Sequence, residues 1–144
     1  MKPTYNLERF IEAQEEDYGI ALREVKQGAK VNHWMWYIFP QIAGLGNSST
    51  AKHFAIMDIT EAKLYLEHPV LGKRLAEISE ALLRIPHNSA YTIFGTPDDL
   101  KLLSCMTLFE AIDSQYKDIF KRIIDKYYNG RRDSKTLQLL KFNL

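Results

Sequence analysis

Apolar residues recur at spacings of three and four along most of this chain, the pattern of helices that turn one face to a core. Leu7, Phe10, Ile11 and Gln14 share a face behind Asn6, a residue type that caps helices. A second such run extends from Asp17, another capping type, to Gln27, where Gly28 supplies a stop. Two short helices are predicted there. Ser48 or Ser49 opens a segment through Phe54, and Asp58 or Thr60 caps a further one over Glu61 to Glu67. Pro69 then sits where a first helical turn accepts it. Leu71, Leu75, Ile78, Leu82 and Leu83 follow on one face until Pro86 ends the pattern.

The strongest start signal is "GTPDDLKLL". Thr96 is placed to cap, Pro97 to occupy the first turn, and Asp98 and Asp99 lie where the positive end of a helix dipole favours acids. That helix is expected to reach about Asp113. Beyond Ser114, the spacing of Tyr116, Ile119, Phe120, Ile123, Ile124 and Tyr127 predicts an amphipathic helix stopped by Gly130. Asp133 or Ser134 then starts a last short helix with Leu137 and Leu140. Only "AYTIFG", residues 90–95, reads as a strand, and a lone strand has nothing to pair with. No repeat, low-complexity tract or linker interrupts the pattern. The expectation is a single compact all-α domain over residues 1–144, with about seven or eight short helices around a Trp-rich central segment.

That segment is "HWMWYIFPQIAGLG", residues 33–46, which contains both tryptophans of the chain. If residues 31–39 are helical, their apolar side chains point in every direction, as they do in a helix surrounded by neighbours. Pro40 disfavours helical geometry at Phe39, and Gly44 and Gly46 permit the positive φ angles of a tight reversal. His33 and Gln41 bracket the run. At the rise of a helix they stand about 12 Å apart, too far to touch but close enough for a ligand to bridge. Packing is the simplest account of such a segment, because each aromatic ring buries a large apolar area. It leaves two indole N–H groups, the Tyr37 hydroxyl and His33 in need of partners, which either the fold or a polar pocket must supply.

Two further stretches are candidates for chemistry. "GLGNSS" offers glycines, Ser48 and a helix start to an anion, but no Walker lysine or preceding strand accompanies it, and a turn with a serine cap is the better account. Lys101, Ser104 and Thr107 recur every third residue and form a narrow polar stripe on an otherwise apolar helix, suited either to lining a groove or to a thin solvated face.

Composition narrows the classes. The chain has 144 residues, 46% of them hydrophobic and 26% charged, which is ordinary for a globular domain of a size that needs no staple. Nineteen basic residues against 18 acidic leave a net charge of +1, too little to gather nucleic acid. The single cysteine, Cys105, forms no internal disulfide and fits a reducing compartment. No membrane span or signal-peptide core is evident, so the cytoplasm is the expected location. His53, His68 and His87 lack metal-ligand spacing. His68 is better placed for a local structural role, and Cys105 lies mid-helix without an adjacent base.

The stretches "HWMWYIFPQIAGLGNSS", "YLEHPVLGKRL" and "IFGTPDDLKLLSCMTLF", with "RFIEAQ" before them and "YYNGRRDSKTL" after, resemble domain-of-unknown-function family 1810 from Leu7 to about Leu140. The resemblance implies a multihelical fold and a family found mainly in bacteria, with no established activity. Some members carry the label calpastatin, the name of long, disordered, repeat-bearing protease inhibitors. A compact domain without repeats does not fit that label.

Two functional expectations follow. The first is a small-molecule site, catalytic or not, formed where residues 33–46 meet the "FGTPDD" helix start. There Trp34 or Trp36 would hold a planar or anionic metabolite of nucleotide or ADP-ribose type. His33 is the natural acid or base and Asp98 or Asp99 its carboxylate, with Gln41, Gly46, Ser48, Lys101 and Ser104 as contacts. No cofactor can be named, and neither metal nor disulfide is implied. The second is a non-catalytic helical module for a protein partner, with an exposed apolar patch around Tyr127, Tyr128 and the last helix.

Overall fold

Helices account for all the regular structure of residues 5–141, the part of the chain that the computed structural model describes. In chain order these are α1 (Glu8–Gln27), α2 (Met35–Ile38), α3 (Ser49–Phe54), α4 (Ile59–Glu67), α5 (Leu71–Leu83), α6 (Ala90–Phe94), α7 (Asp98–Glu110), α8 (Lys117–Tyr128) and α9 (Ser134–Lys141). The all-α expectation holds, with nine helices among the described residues rather than seven or eight.

The expected pair of N-terminal helices is one helix. Phe10, Gln14, Tyr18, Ala21 and Val25 keep a single face turned inward along α1, and nothing between them breaks the backbone. Asp17 caps nothing there. Its carboxylate accepts the Tyr37 hydroxyl instead. At the far end Gly28 adopts φ +79°, the left-handed turn that favours glycine, and closes the helix as expected.

"AYTIFG" is helix, not strand. The Ser89 hydroxyl accepts the Thr92 N–H at 3.1 Å and caps α6, and no neighbouring strand competes for the backbone. A single parallel bridge, Ile42 to Ile56, is the sole extended pairing among the described residues. Thr96 does not cap α7. Pro97 occupies the N-cap position after a cis peptide bond, and α7 ends at Glu110, short of Asp113. Ser48 and Asp58 do cap, accepting the N–H groups of Ala51 and Glu61.

Two helices organise the packing. α5 lies against α1, α4 and α8, while α7 packs against α4, α6, α8 and α9. α7 is buried almost all round through Leu102, Cys105, Met106, Leu108 and Phe109, so this helix, rather than the tryptophan segment, is the innermost. Burial pushes the Cys105 thiol pKa well up and leaves it unreactive.

Polar joints lock the helices together. Arg9 pairs with the buried Glu61 at 2.9 Å and donates to the carbonyls of His53 and Ala55, tying α1 to the α3–α4 connection. Asp133 accepts from Ser104 at 3.1 Å and from the Thr136 N–H, and its own N–H donates to Thr107. This joins α9 to α7. The Lys126 ammonium donates to the carbonyls of Leu82, Leu83 and Ile85, where α5 ends.

The α4–α5 corner leaves no room. A Cβ at Gly72 would lie 2.0 Å from the Leu66 carbonyl oxygen, a backbone atom that cannot swing aside. Gly72→Ala should therefore cost about 2–3 kcal/mol, or roughly ten degrees of melting temperature. Thermal denaturation followed by circular dichroism checks this, and an unchanged midpoint would refute the close approach.

Candidate functional site

The opening of the "HWMWYIFPQ" stretch is arranged by one carboxylate. Glu24, in the last turn of α1, is 6% exposed, and its Oε1 accepts the Val31 N–H at 2.7 Å, the Asn32 N–H at 3.0 Å and the Trp34 indole N–H at 2.9 Å. The Asn32 side-chain amide donates to Oε2. Burial on its own would raise the pKa of Glu24. The N–H groups of Asn32 and Val31, with the Asn32 amide and the Trp34 indole, outweigh burial and bring it down to about 2. An ionised carboxylate thus lies beneath the motif.

Trp34 is held on that carboxylate, 1% exposed, with Phe39 and Phe94 beside it at centroid distances of 6.2 and 6.4 Å. Its backbone, at φ −130° and ψ 5°, lies outside the helix, which is why only Met35–Ile38 wind as α2 rather than all of residues 31–39. Phe39, next to Pro40, is extended at φ −125° and ψ 72° and ends the turn as expected. The Tyr37 hydroxyl donates to Asp17, while its carbonyl accepts the Gln14 amide at 2.7 Å. Burial, then the Asp17 carboxylate, pushes the Tyr37 pKa upward and keeps the phenol protonated. One indole and the phenol are therefore satisfied from within, by α1 and, for the phenol, also by the His33 carbonyl at 3.3 Å.

Trp36 differs. It is half-buried, and its indole N–H has no hydrogen-bond partner among the described residues. The Lys101 ammonium lies 5.2 Å from its ring centroid, within cation–π range. Beside the ring, Gln41, Ile42, Gly46 and Phe54 line a pocket of about 20 Å³, room for roughly one water. The Gln41 side-chain amide is likewise unpartnered among the described residues.

The structure thus brings Trp36, Gln41, Gly46 and Lys101 together. Asp98 joins the edge of this group by bridging Lys30 at 2.9 Å and Lys101 at 3.5 Å, with Lys30 also 5.1 Å from the Trp34 ring. Other candidates lie elsewhere or are already engaged. His33 is exposed, and no hydrogen bond, ion pair or ring contact joins it to Asp98 or Asp99. Asp99 accepts the Leu100 N–H on its carboxylate and the Tyr128 hydroxyl on its carbonyl. Ser104 faces Asp133 and the Leu100 carbonyl, not a groove. The Ser48 hydroxyl caps α3.

Of the two loop glycines, only Gly44 takes a positive φ. Gly46 is needed for proximity, since a Cβ there would meet the Ala51 methyl at 2.6 Å. Sequence reasoning missed Glu24 and Lys30 altogether. A signal existed for the first, because Glu24 falls three residues after Ala21 on the buried face of α1, where an unpaired acid is not tolerated. Lys30 carried no such signal.

The fold and this motif define a small all-helical protein built around an aromatic segment bound to one long helix. Residues 4–140 match the family model described as "Protein of unknown function (DUF1810)", and the chain belongs to that family. Its structure is similar to the crystal structure of the conserved hypothetical protein Rv1873 from Mycobacterium tuberculosis. The two share 42% identity and a TM-score of 0.90, over 94% of this chain and 96% of that one. No curated protein matches the chain. No helix among the described residues is long and apolar enough to cross a membrane.

The linkage of Glu24 to stability has a definite sign. A carboxyl lowered from its ordinary 4.5 to about 2 stabilises the fold fully above pH 4.5 and loses that contribution as pH falls toward 2, about 3 kcal/mol in all. Denaturation of the native chain and Glu24→Gln should show a gap near that size at pH 7 that narrows between pH 4.5 and 2. A gap independent of pH would sink this account.

Proposed function

We propose that the protein binds a planar, anionic small molecule of nucleotide or ADP-ribose type on the outer face of Trp36. The observation that carries this reading is the half-buried Trp36 ring with the Lys101 ammonium 5.2 Å from its centroid. Around it, the indole N–H and the Gln41 amide have no partner among the described residues, whereas Trp34 and Tyr37 in the same motif are satisfied. An aromatic base stacked on such a ring gains about 1–3 kcal/mol, and the cation would meet its phosphate. Lys101 shares Asp98 with Lys30, which lies closer to it at 2.9 Å against 3.5 Å, so that carboxylate only partly engages the Lys101 charge. The enclosed pocket accepts only one small polar group, so most of the ligand would lie across the open face.

Recognition is better supported than turnover. His33 is exposed and lacks an orienting carboxylate, so the acid–base pair of His33 with Asp99 has no geometry behind it. The protein-docking alternative draws no support from Tyr127 and Tyr128, whose hydroxyls donate to the carbonyls of Leu82 and Asp99. We also place the protein in a bacterial cytoplasm, on its single buried thiol and the source of the similar structure.

Titration with ADP-ribose and AMP, read by intrinsic tryptophan fluorescence and melting temperature, tests the site. Ligand at 100 times its dissociation constant should stabilise the protein by about 2.7 kcal/mol, several degrees, with quenching of Trp36. Trp36→Ala and Lys101→Glu should each remove the shift, Trp36→Ala from a lower unliganded midpoint because its half-buried ring packs on the fold. Equal stabilisation of both variants, or no response to either ligand, would overturn the proposal.

A further inference from the structure

α1 and α5 pack side by side and finish at the same end of the molecule. Between their C-termini opens a cleft of about 570 Å³, within the size range of small-molecule sites and lined by none of the residues of the tryptophan motif. Lys26 and Gln27 form one wall, and Arg84, Ile85, Pro86 and His87 the other. We propose that this cleft binds a phosphorylated small molecule, separately from the Trp36 face.

The charge arrangement carries the argument. Lys26, Arg84 and His87 line the cleft and no carboxylate does among the described residues, in a protein whose net charge is only +1. Cations near helix C-termini commonly serve the exposed carbonyls there. Here several of those carbonyls already have other donors. The N–H groups of Gly28 and Ala29 donate to Val25 and Glu24 at the end of α1, and Lys126 takes the carbonyls of Leu82, Leu83 and Ile85 at the end of α5. The side chains of Lys26 and Arg84 have no partner among the described residues.

His87 is fixed for donation. Its Nδ1 accepts the Ser89 N–H at 3.1 Å, so the neutral ring carries its proton on Nε2. A planar carboxylate would be satisfied by the Arg84 fork alone. Three donors of different shape, a guanidinium, an ammonium and an imidazole N–H, suit the three terminal oxygens and double charge of a phosphate. Ala81, Ile85 and Pro86 offer apolar surface for the carbon body that bears it.

The test is an amide NMR titration of the full chain with phenyl phosphate, and in parallel with benzoate. Saturable shifts are expected at Gln27, Gly28, Ile85 and His87 with phenyl phosphate whether or not the Trp36 indole signal also moves, and benzoate should shift these amides at least tenfold more weakly. Lys26→Glu and Arg84→Glu, both at exposed positions, should each weaken phenyl phosphate at least tenfold with the fold intact by circular dichroism, an acid at a helix C-terminus lowering the melting temperature by about a few degrees at most. Absence of saturable shifts at these amides, binding unaffected by the charge reversals, or equal affinity for benzoate would each overturn the proposal. None of these outcomes bears on the Trp36 face, whose reporter is its own indole signal.

Discussion

One buried carboxylate decides how the aromatic stretch is presented. Glu24 takes three donors on a single oxygen, and those donors belong to Val31, Asn32 and Trp34, the residues through which the chain turns from α1 into α2. A charge in that position is tolerated only because it is fully bonded. Its bonds hold Trp34 out of helical geometry, seat that ring in the core, and leave the next turn to direct Tyr37 back to α1 and Trp36 outward. The contrast between a satisfied tryptophan and an unsatisfied one, two residues apart, follows from this anchor.

The remaining buried polar groups work in the same way, as joints between helices. Arg9 with Glu61, Gln14 with Tyr37 and Tyr65, and Asp133 with Ser104 and Thr107 each link elements far apart in sequence. Such joints rigidify a core when every member is bonded. Groups engaged with one another maintain the fold, whereas the polar groups of Trp36, Gln41, Lys26 and Arg84 are left without a partner among the described residues.

Helix positions were largely legible from spacing and caps, because Ser48, Asp58, Gly28 and Gly130 act within a few residues of where they stand. α1 was split in two because Asp17 has the chemistry of a cap, and only the fold shows that its carboxylate is taken by Tyr37. α6 was misread because Tyr91, Thr92, Ile93 and Phe94 favour strands in isolation, and a capping serine with no partner strand overrides that preference. At the site, the need for partners at residues 33–37 was legible, while their identity was not. Glu24, Asp17 and Gln14 lie 10 to 23 residues away from the groups they serve, a separation that no local pattern encodes. The stripe of Ser104 and Thr107 was visible, but its meaning depended on α9 arriving to bind it.

The ammonium of Lys126 at the end of α5 bears on how the chain folds as it is made. Its contacts span 41 to 44 residues, so the Leu83 and Ile85 carbonyls lack this donor until α8 has been synthesised and has docked. During translation the end of α5 would wait for a side chain made more than forty residues later, its apolar face uncovered by α8 in the meantime.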